Sequence, residues 1–446
     1  MMQLSRRSLL AYTLAIPGLP DRFAFLAGRE RPDEASSGQY FPPSDANGGW
    51  RAIKDASEVR TRTGIDRSRL DAAFKYCKTT SRHGGLLVLR HGHLVYEQYF
   101  GRGNRYAKPD AHSIAKMFTS VCCGMMLDEH RDRFPDGLAT KVVTQELLPE
   151  AFPLIDPRVA EIRLGNLLTM TSGIQTAEFI PQSSPKPTWH KTAIVGGENV
   201  SLPAIASSDP EDNPVSNQDR SALRGRMWTA PGQGYLYGRD PHIASIFLRH
   251  VVGKELEDLI RERIATPLEW GAFGYDRHSP SGTLPHTPGE SGIAVHATDL
   301  LRFGYLLLNN GRWRDKQIVP SSYVELCRKP SPFNPHCPFS LQFEVNADGH
   351  VAGAPLDTYF KSGAGGYGLY IVPSLDLVIY KMSSLPKDDS YDPCGSGMPV
   401  EYTPDTSRDS WEPHPFNQFL DGPVEGDAGV RRLLEMVVAA VVDEHS

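Results

Sequence analysis

Ser113-Ile-Ala-Lys116 sets a serine and a lysine three residues apart in a segment that otherwise reads as buried helix. From Ile114 to Leu127 the chain runs Ile, Ala, Lys, Met, Phe, Thr, Ser, Val, Cys, Cys, Gly, Met, Met, Leu. Apolar residues fall on nearly every face of such a helix, the pattern of a core element rather than a surface one. A lysine in the core is costly, because desolvation disfavours its charged form and lowers its pKa. Helical spacing places i and i+3 on one face. Lys116 can therefore reach the Ser113 hydroxyl at the helix start, which is how an unreactive alcohol acquires a base. The same residues also suit plainer roles. Serine is a favoured N-cap, and a first-turn lysine can carry its amine out to solvent. Partners elsewhere in the chain have to decide.

The bulk properties narrow the field. The chain has 446 residues, 40% hydrophobic and 22% charged, with a net charge of −6. That is a globular composition with ample length for a large core, and length alone suggests two or three domains. Neither a basic run nor aromatic-basic interleaving is present, which argues against a nucleic-acid partner. No apolar run is long enough to span a bilayer. Residues 1–28 carry Ser5-Arg6-Arg7-Ser8-Leu9-Leu10 and a short apolar run, the pattern of a twin-arginine export signal. This predicts a periplasmic or secreted protein, the alternative being a cytoplasmic one with an amphipathic N-terminal segment. The six cysteines show no zinc-ribbon or C-x-x-C spacing. Cys122 and Cys123 read as core residues, and Cys327 and Cys337 as a pair able to bridge in an oxidising compartment. His91 and His93 form an H-x-H, but a turn and a strand explain them better than a metal.

Working outward, residues 29–60 are rich in Pro, Gly, Ser, Asp and Arg and read as an irregular leader. Ile65–Lys78 predicts an amphipathic helix. Leu86–Arg90 and Leu94–Phe100 are strands joined at His91-Gly92, an antiparallel hairpin. Helices are expected over His242–Val252, Leu256–Ala265 and Thr298–Asn309, the last capped by Thr298. Tyr367–Val372 and Leu377–Met382 are two more strands, and Ala428–Val442 is a closing helix. Residues 180–222 and 384–426 read as loops. Hairpins near both ends with helices between them imply an α+β fold, an antiparallel sheet flanked by helices with a mostly helical insertion. The expected division is an α/β lobe from residues 61–112 and 240–446, and a helical lobe from 113–239.

Two further segments carry chemistry. Pro231-Gly-Gln-Gly-Tyr-Leu-Tyr-Gly-Arg-Asp240 is a tight loop leading into a helix. Tyr237 there can shuttle a proton if a nearby cation lowers its pKa, or simply pack beside Tyr235. Lys361-Ser-Gly-Ala-Gly-Gly366 precedes the Tyr367 strand, a small glycine-rich edge that a substrate backbone can approach. A main-chain N–H there, paired with that of Ser113, would make an oxyanion hole. The alternative is a glycine-rich turn.

Taken in order, S-x-x-K, the Tyr237 loop and K-S-G resemble the serine β-lactamases and penicillin-binding proteins. The likeness is closest to the class C-like branch with its esterases and 6-aminohexanoate-dimer hydrolases. Leu167–Ile174, Pro231-Gly232, Thr266-Pro-Leu268, Ala297–Gly304 and Gly365–Pro373 fit as well, so the resemblance covers roughly residues 60–385 and the last helix. It implies a β-lactamase/transpeptidase-like fold with an active site between two lobes. It also implies that Ser113 is the nucleophile, that Lys116 assists its deprotonation, and that Tyr237 is general base and then acid. Lys361 would support Tyr237 and help bind an anionic or polar group. The backbone amides of Ser113 and Ala364 would form the oxyanion hole, with Ser362 and Gly363 beside the substrate. The chemistry needs no metal or organic cofactor.

One residue departs from the pattern. The family's Tyr-x-Asn stands here as Tyr237-Gly238-Arg239. An arginine cannot copy the asparagine carbonyl acceptor; it can pair with Asp240 or receive a substrate carboxylate. The expectation is thus a serine hydrolase acting on a small ester, amide or peptide-like substrate through an acyl-enzyme. The alternatives are a β-lactamase or D-Ala-D-Ala carboxypeptidase, and a non-catalytic ligand-binding protein of the same fold. Tyr275, Trp189 and His336 are candidates to line the cleft.

Overall fold

Why both ends of the chain are needed is clear from one strand. In the computed structural model, β1 (Gly84–Arg90) is buried along its whole length, so both faces of its sheet must be covered. The structure describes residues 39–81, 83–101, 103–175, 192–202, 218–275, 278–279, 282–383 and 427–442. The chain separates into residues 1–40 and 41–446. Of the first unit only Gln39 and Tyr40 are described, and the expected export segment 1–28 lies outside the described residues.

Among the described residues of the second unit, seven strands form one antiparallel sheet. They are β1, β2 (His93–Phe100), β3 (Phe339–Ser340), β4 (Phe343–Val345), β5 (Tyr359–Gly363), β6 (Tyr367–Val372) and β7 (Leu377–Met382), in the order β3-β4-β5-β6-β7-β1-β2. The expected hairpin is present, with His91 at φ 51° and Gly92 at φ 69° at its turn. The joint between chain ends is β1 against β7, with Val88 opposite Ile379.

The period-two alternation of the strands divides their side chains between two layers. Leu86, Val88, Phe360, Tyr370 and Ile379 pack with Leu70 and Phe74 of α2 (Arg67–Thr80) and with Leu433 and Leu434 of the last helix, Asp427–Val438. On the other face lies the helix Ala297–Leu308. It comes so close that a Cβ on Gly304 would stand 2.5 Å from a Val378 methyl. Glycine is required there by contact, not by conformation.

Several boundaries differ from the sequence reading. Residues 29–60 are not irregular throughout: α1 spans Ala56–Thr63, where Asp55 accepts the Glu58 amide at 2.9 Å and Gly64 closes the helix in the left-handed region. Asp45 and the carbonyl of Pro43 accept hydrogen bonds from the buried Arg302, at 2.7 and 2.6 Å. The residue that caps Ala297–Leu308 is His296, not Thr298. The Thr298 hydroxyl donates to Asp45 instead, at 2.8 Å. Cys327 and Cys337 are free thiols, not a bridge: Cys327 is buried in the helix Ser321–Cys327, and the sulfur of Cys337 lies 3.4 Å from the Asn334 amide.

The helical part begins with α3 (Ala115–Glu129), in which every residue from Ala115 to Met126 is buried. Against it packs α4 (Asp240–Val252), which also meets the short helix Leu164–Leu168. The helical part therefore continues past residue 239, because the buried side of α4 faces helices. The helices Ala297–Leu308 and Asp427–Val438 are labelled α5 and α6. No helix among the described residues is long and apolar enough to cross a membrane.

Candidate active site

Ser113 sits in a 3-10 turn, His112–Ile114, that feeds directly into α3. The turn is clamped on several sides. The Ala111 amide donates to the Ile293 carbonyl at 2.9 Å, and the Asp110 carboxylate accepts the His112 amide at 2.7 Å. His112 is held at φ 49°, a left-handed conformation uncommon for a residue with a Cβ. Its ring meets the Tyr367 ring edge-on, with centroids 5.6 Å apart. A bend of this kind turns the next side chain out of the helix barrel and leaves Ser113 half-buried.

Lys116 points back along this face. Its ammonium donates to the Ser113 hydroxyl oxygen at 2.9 Å and to the Glu290 carbonyl at 2.6 Å. The side chain does not reach solvent: the residue is only 3% exposed. Burial pulls its pKa down, and the nearby Lys361 cation adds to that. The Tyr237 phenol and the Glu290 carboxylate pull the other way, and the net shift is downward.

Tyr237 is carried by a different element. The strand Tyr235–Leu236 pairs with Thr192–Val195, and the Leu236 amide donates to the Met170 carbonyl at 3.0 Å. The following Tyr237 is buried against Met170, Tyr235 and Phe339. Two ammonium groups face its ring, Lys116 Nζ at 4.9 Å and Lys361 Nζ at 4.7 Å from the centroid. Burial alone would raise the phenol's pKa. The two cations, with hydrogen bonding from the Ser113 and Lys116 side chains, outweigh it and hold the phenol below its ordinary range.

Lys361 lies on β5, 1% exposed. Beyond it β5 runs to Gly363, whose missing side chain is used: a Cβ there would stand 2.5 Å from the Ala111 carbonyl oxygen. That contact brings the end of β5 against the turn that carries Ser113. Ala364 then opens a 3-10 turn in which Gly365 has φ 80°. β4 pairs with β5 only at Tyr359 and Phe360. The Ser362 hydroxyl donates to Glu344 Oε1 on β4 at 2.9 Å.

The structure thus brings Ser113, Lys116, Tyr237 and Lys361 together, with Ser362, Gly363 and Ala364 along one edge. Arg239 is half-buried just before α4. Of the two roles open to Arg239, pairing with Asp240 is not the one adopted. The Asp240 carboxylate turns inward and accepts the Ser172 hydroxyl at 2.8 Å and the Ser172 amide at 3.3 Å. Burial raises its pKa to about 7, against the lowering effect of those two bonds. Of the other cleft candidates, Tyr275 is a buried strand residue. His336 Nε2 lies 3.0 Å from the Gly232 carbonyl, and its Nδ1 accepts the Gly196 amide at 3.1 Å. Trp189 lies outside the described residues.

Some residues at the site were not foreseen. His112 supplies the bend. Glu290 receives Lys116 through its carbonyl, and its carboxylate lies 3.5 Å from Nδ1 of the buried His242. His242 Nε2 is in turn 3.3 Å from Asp219. Glu344 meets Lys361 and Ser362. No motif announces these residues. Each is placed by a neighbouring loop or strand whose register only the fold reveals. Among the described residues no cluster of His, Cys, Asp and Glu is arranged to hold a metal ion.

The family model described as beta-lactamase matches residues 70–393. No curated sequence matches. Solved structures share the fold. A candidate 6-aminohexanoate-dimer hydrolase from Bacillus anthracis is 22% identical with a TM-score of 0.52, over 69% of this chain and 75% of that one. EstCE1, a hydrolase with promiscuous acyltransferase activity, is 16% identical with a TM-score of 0.54, over 72% and 94%. Unliganded simvastatin synthase from Aspergillus terreus is 16% identical with a TM-score of 0.54, over 84% and 98%. At such identities the likeness is one of fold.

Proposed function

The chain belongs to the beta-lactamase family, and from that premise we propose that it is a serine hydrolase cleaving an ester or amide of a small molecule through an acyl-enzyme on Ser113. One observation carries the reading: Lys116 Nζ donates to Ser113 Oγ at 2.9 Å, while Lys116 and Lys361 both face the Tyr237 ring. Two cations beside one phenol favour phenolate, and each disfavours the charge on the other.

In this reading Tyr237, as phenolate, takes the Ser113 proton while Oγ attacks the substrate carbonyl carbon. Lys116 orients that hydroxyl. The carbonyl π electrons move onto oxygen, where the amides of Ser113 and Ala364 receive the developing charge. Tyr237 then returns the proton to the departing alcohol or amine as the tetrahedral intermediate collapses to the acyl-enzyme. Water enters with the roles repeated: Tyr237 removes its proton, the hydroxide adds to the acyl carbon, and Ser113 leaves reprotonated. Lys361 lowers the phenol's pKa and so favours the phenolate. No step calls on a metal or organic cofactor.

The test is hydrolysis of short p-nitrophenyl esters. Ser113→Ala is expected to lower kcat/KM about a thousandfold or more, and Tyr237→Phe by at least about a hundredfold. Turnover that survives Ser113→Ala would contradict the assignment. Efficient cleavage of a chromogenic cephalosporin without esterase activity would instead select the β-lactamase reading.

A further inference from the structure

The Lys361-Ser362 edge already holds a carboxylate of the protein's own. Glu344 Oε1 accepts the Ser362 hydroxyl at 2.9 Å and lies 4.0 Å from Lys361 Nζ. The β4–β5 register explains how it gets there. Glu344 stands opposite Phe360, so Ser362 is its diagonal neighbour two residues on. The Glu344 side chain keeps 14% of its surface, whereas that of Lys361 keeps 2%. The carboxylate is therefore the more solvent-accessible member of the pair.

A cation and a hydroxyl along the edge of an acyl-transfer site would ordinarily be receivers for a substrate carboxylate. Here the hydroxyl's one proton is spent on Glu344, and the ammonium has a negative partner. An incoming carboxylate would meet a fixed like charge and no vacant donor on Ser362. A cationic group would meet a partly exposed carboxylate. We infer that Glu344 is a specificity-determining residue that turns the Lys361-Ser362 edge against anionic substrates and selects neutral or cationic esters and amides. The inference rests on the hydrolase reading of the site. It reverses the expectation that Lys361 helps bind an anionic group. Arg239 lies on a different element, at the start of α4, and carries the charge that would oppose this preference.

The test compares kcat/KM for ester series that differ only in charge. On the acyl side these are p-nitrophenyl hexanoate, the p-nitrophenyl half-ester of adipate, and p-nitrophenyl 5-(trimethylammonio)pentanoate. On the leaving-group side they are S-ethyl thioacetate, S-acetyl thioglycolate and acetylthiocholine, read by thiol release. In at least one series the anionic member is expected to be at least about tenfold poorer than the neutral one. The deficit should shrink as salt is raised. Glu344→Gln should raise the anionic-to-neutral ratio about fivefold or more in that series, while Ser362→Ala, which keeps the Glu344 charge, should leave the anionic member disfavoured. Using a ratio removes any general loss of activity, and the salt dependence of the wild type stands even if a variant fails to fold. The inference is overturned if the anionic member equals or exceeds the neutral one in both series. It is also overturned if Glu344→Gln and Ser362→Ala change the ratio alike, or if an anionic preference disappears in Arg239→Gln. Turnover of the neutral esters without charge discrimination sinks this inference and leaves the hydrolase reading standing. Turnover of none of the six, with no phosphonylation of Ser113, sinks both.

Discussion

At the scale of single residues, Lys116 is best understood as half of a titrating pair with Tyr237. Burial and Lys361 disfavour its charge, while Lys361 favours the charge on Tyr237. The two groups share protons, so a rate profile reports the pair and not either member. The active form has lost one proton from the pair, and kcat/KM should rise with pH through an apparent pKa below that of an ordinary lysine or phenol. Removing the Lys361 cation raises the pKa of both members. The Lys361→Ala variant should accordingly move the acid limb to higher pH. The Glu290 carboxylate favours the charged form of Lys116, so Glu290→Gln should move the limb to lower pH. Opposite displacements of the ester-hydrolysis profile are the expected result. Displacements in the same direction would contradict the electrostatic account. Ser113 and Lys116 were legible because their spacing matches the helix period. Glu290 was not, since it reaches Lys116 through a main-chain carbonyl, which no side-chain pattern records.

Elements explain how the nucleophile is presented. A core helix would bury its first turn, yet α3 is preceded by the His112 bend, and the 3-10 turn leaves Ser113 half-buried rather than buried. The helix itself was legible from its unbroken apolar run. The bend was not, because histidine carries no signal for a left-handed backbone comparable to glycine's. At the start of α4, Asp240 presents a second case. The helix N-terminus and Ser172 favour its charge, but burial wins and the carboxyl titrates near pH 7. The sign follows from the unfolded value of 3.8. Between that pH and about 7 the folded state keeps a proton that the unfolded chain has lost, so this residue's contribution to stability falls as pH rises through the window. Asp240→Asn cannot lose a proton. Its stability relative to wild type should improve by about 1–4 kcal/mol between pH 4 and pH 8, as read from urea unfolding at the two values. A constant difference across that range would show that Asp240 does not titrate as the buried geometry demands.

For the molecule as a whole, the decisive feature is a sheet closed from two distant parts of the chain. Short apolar runs rich in strand-forming residues made β1, β2, β6 and β7 legible, and the turn residues between them gave their antiparallel sense. The pairing of β1 with β7 and the coverage of one face by α6 follow from burial that no local window contains. The short strands β3 and β4 were missed because two or three residues hold too little alternation to read, and with them went the position of Glu344. The architecture makes α6 part of the core: Leu433 and Leu434 are fully buried beside Phe360 and Tyr370. Leu434→Ala should cost about 2–5 kcal/mol, measurable by denaturant unfolding; a loss under about 1 kcal/mol would mean that α6 does not seal this face. The same closure brings β5 against the Ser113 turn, and with it Lys361 against Tyr237. All of this converges on one nucleophile, and a fluorophosphonate probe followed by intact-mass and peptide analysis tests it most directly. The account predicts a single covalent adduct, on Ser113, absent from Ser113→Ala and formed faster as pH rises toward 9. An unlabelled wild type under conditions that modify a control esterase, or an adduct on another residue, would contradict it.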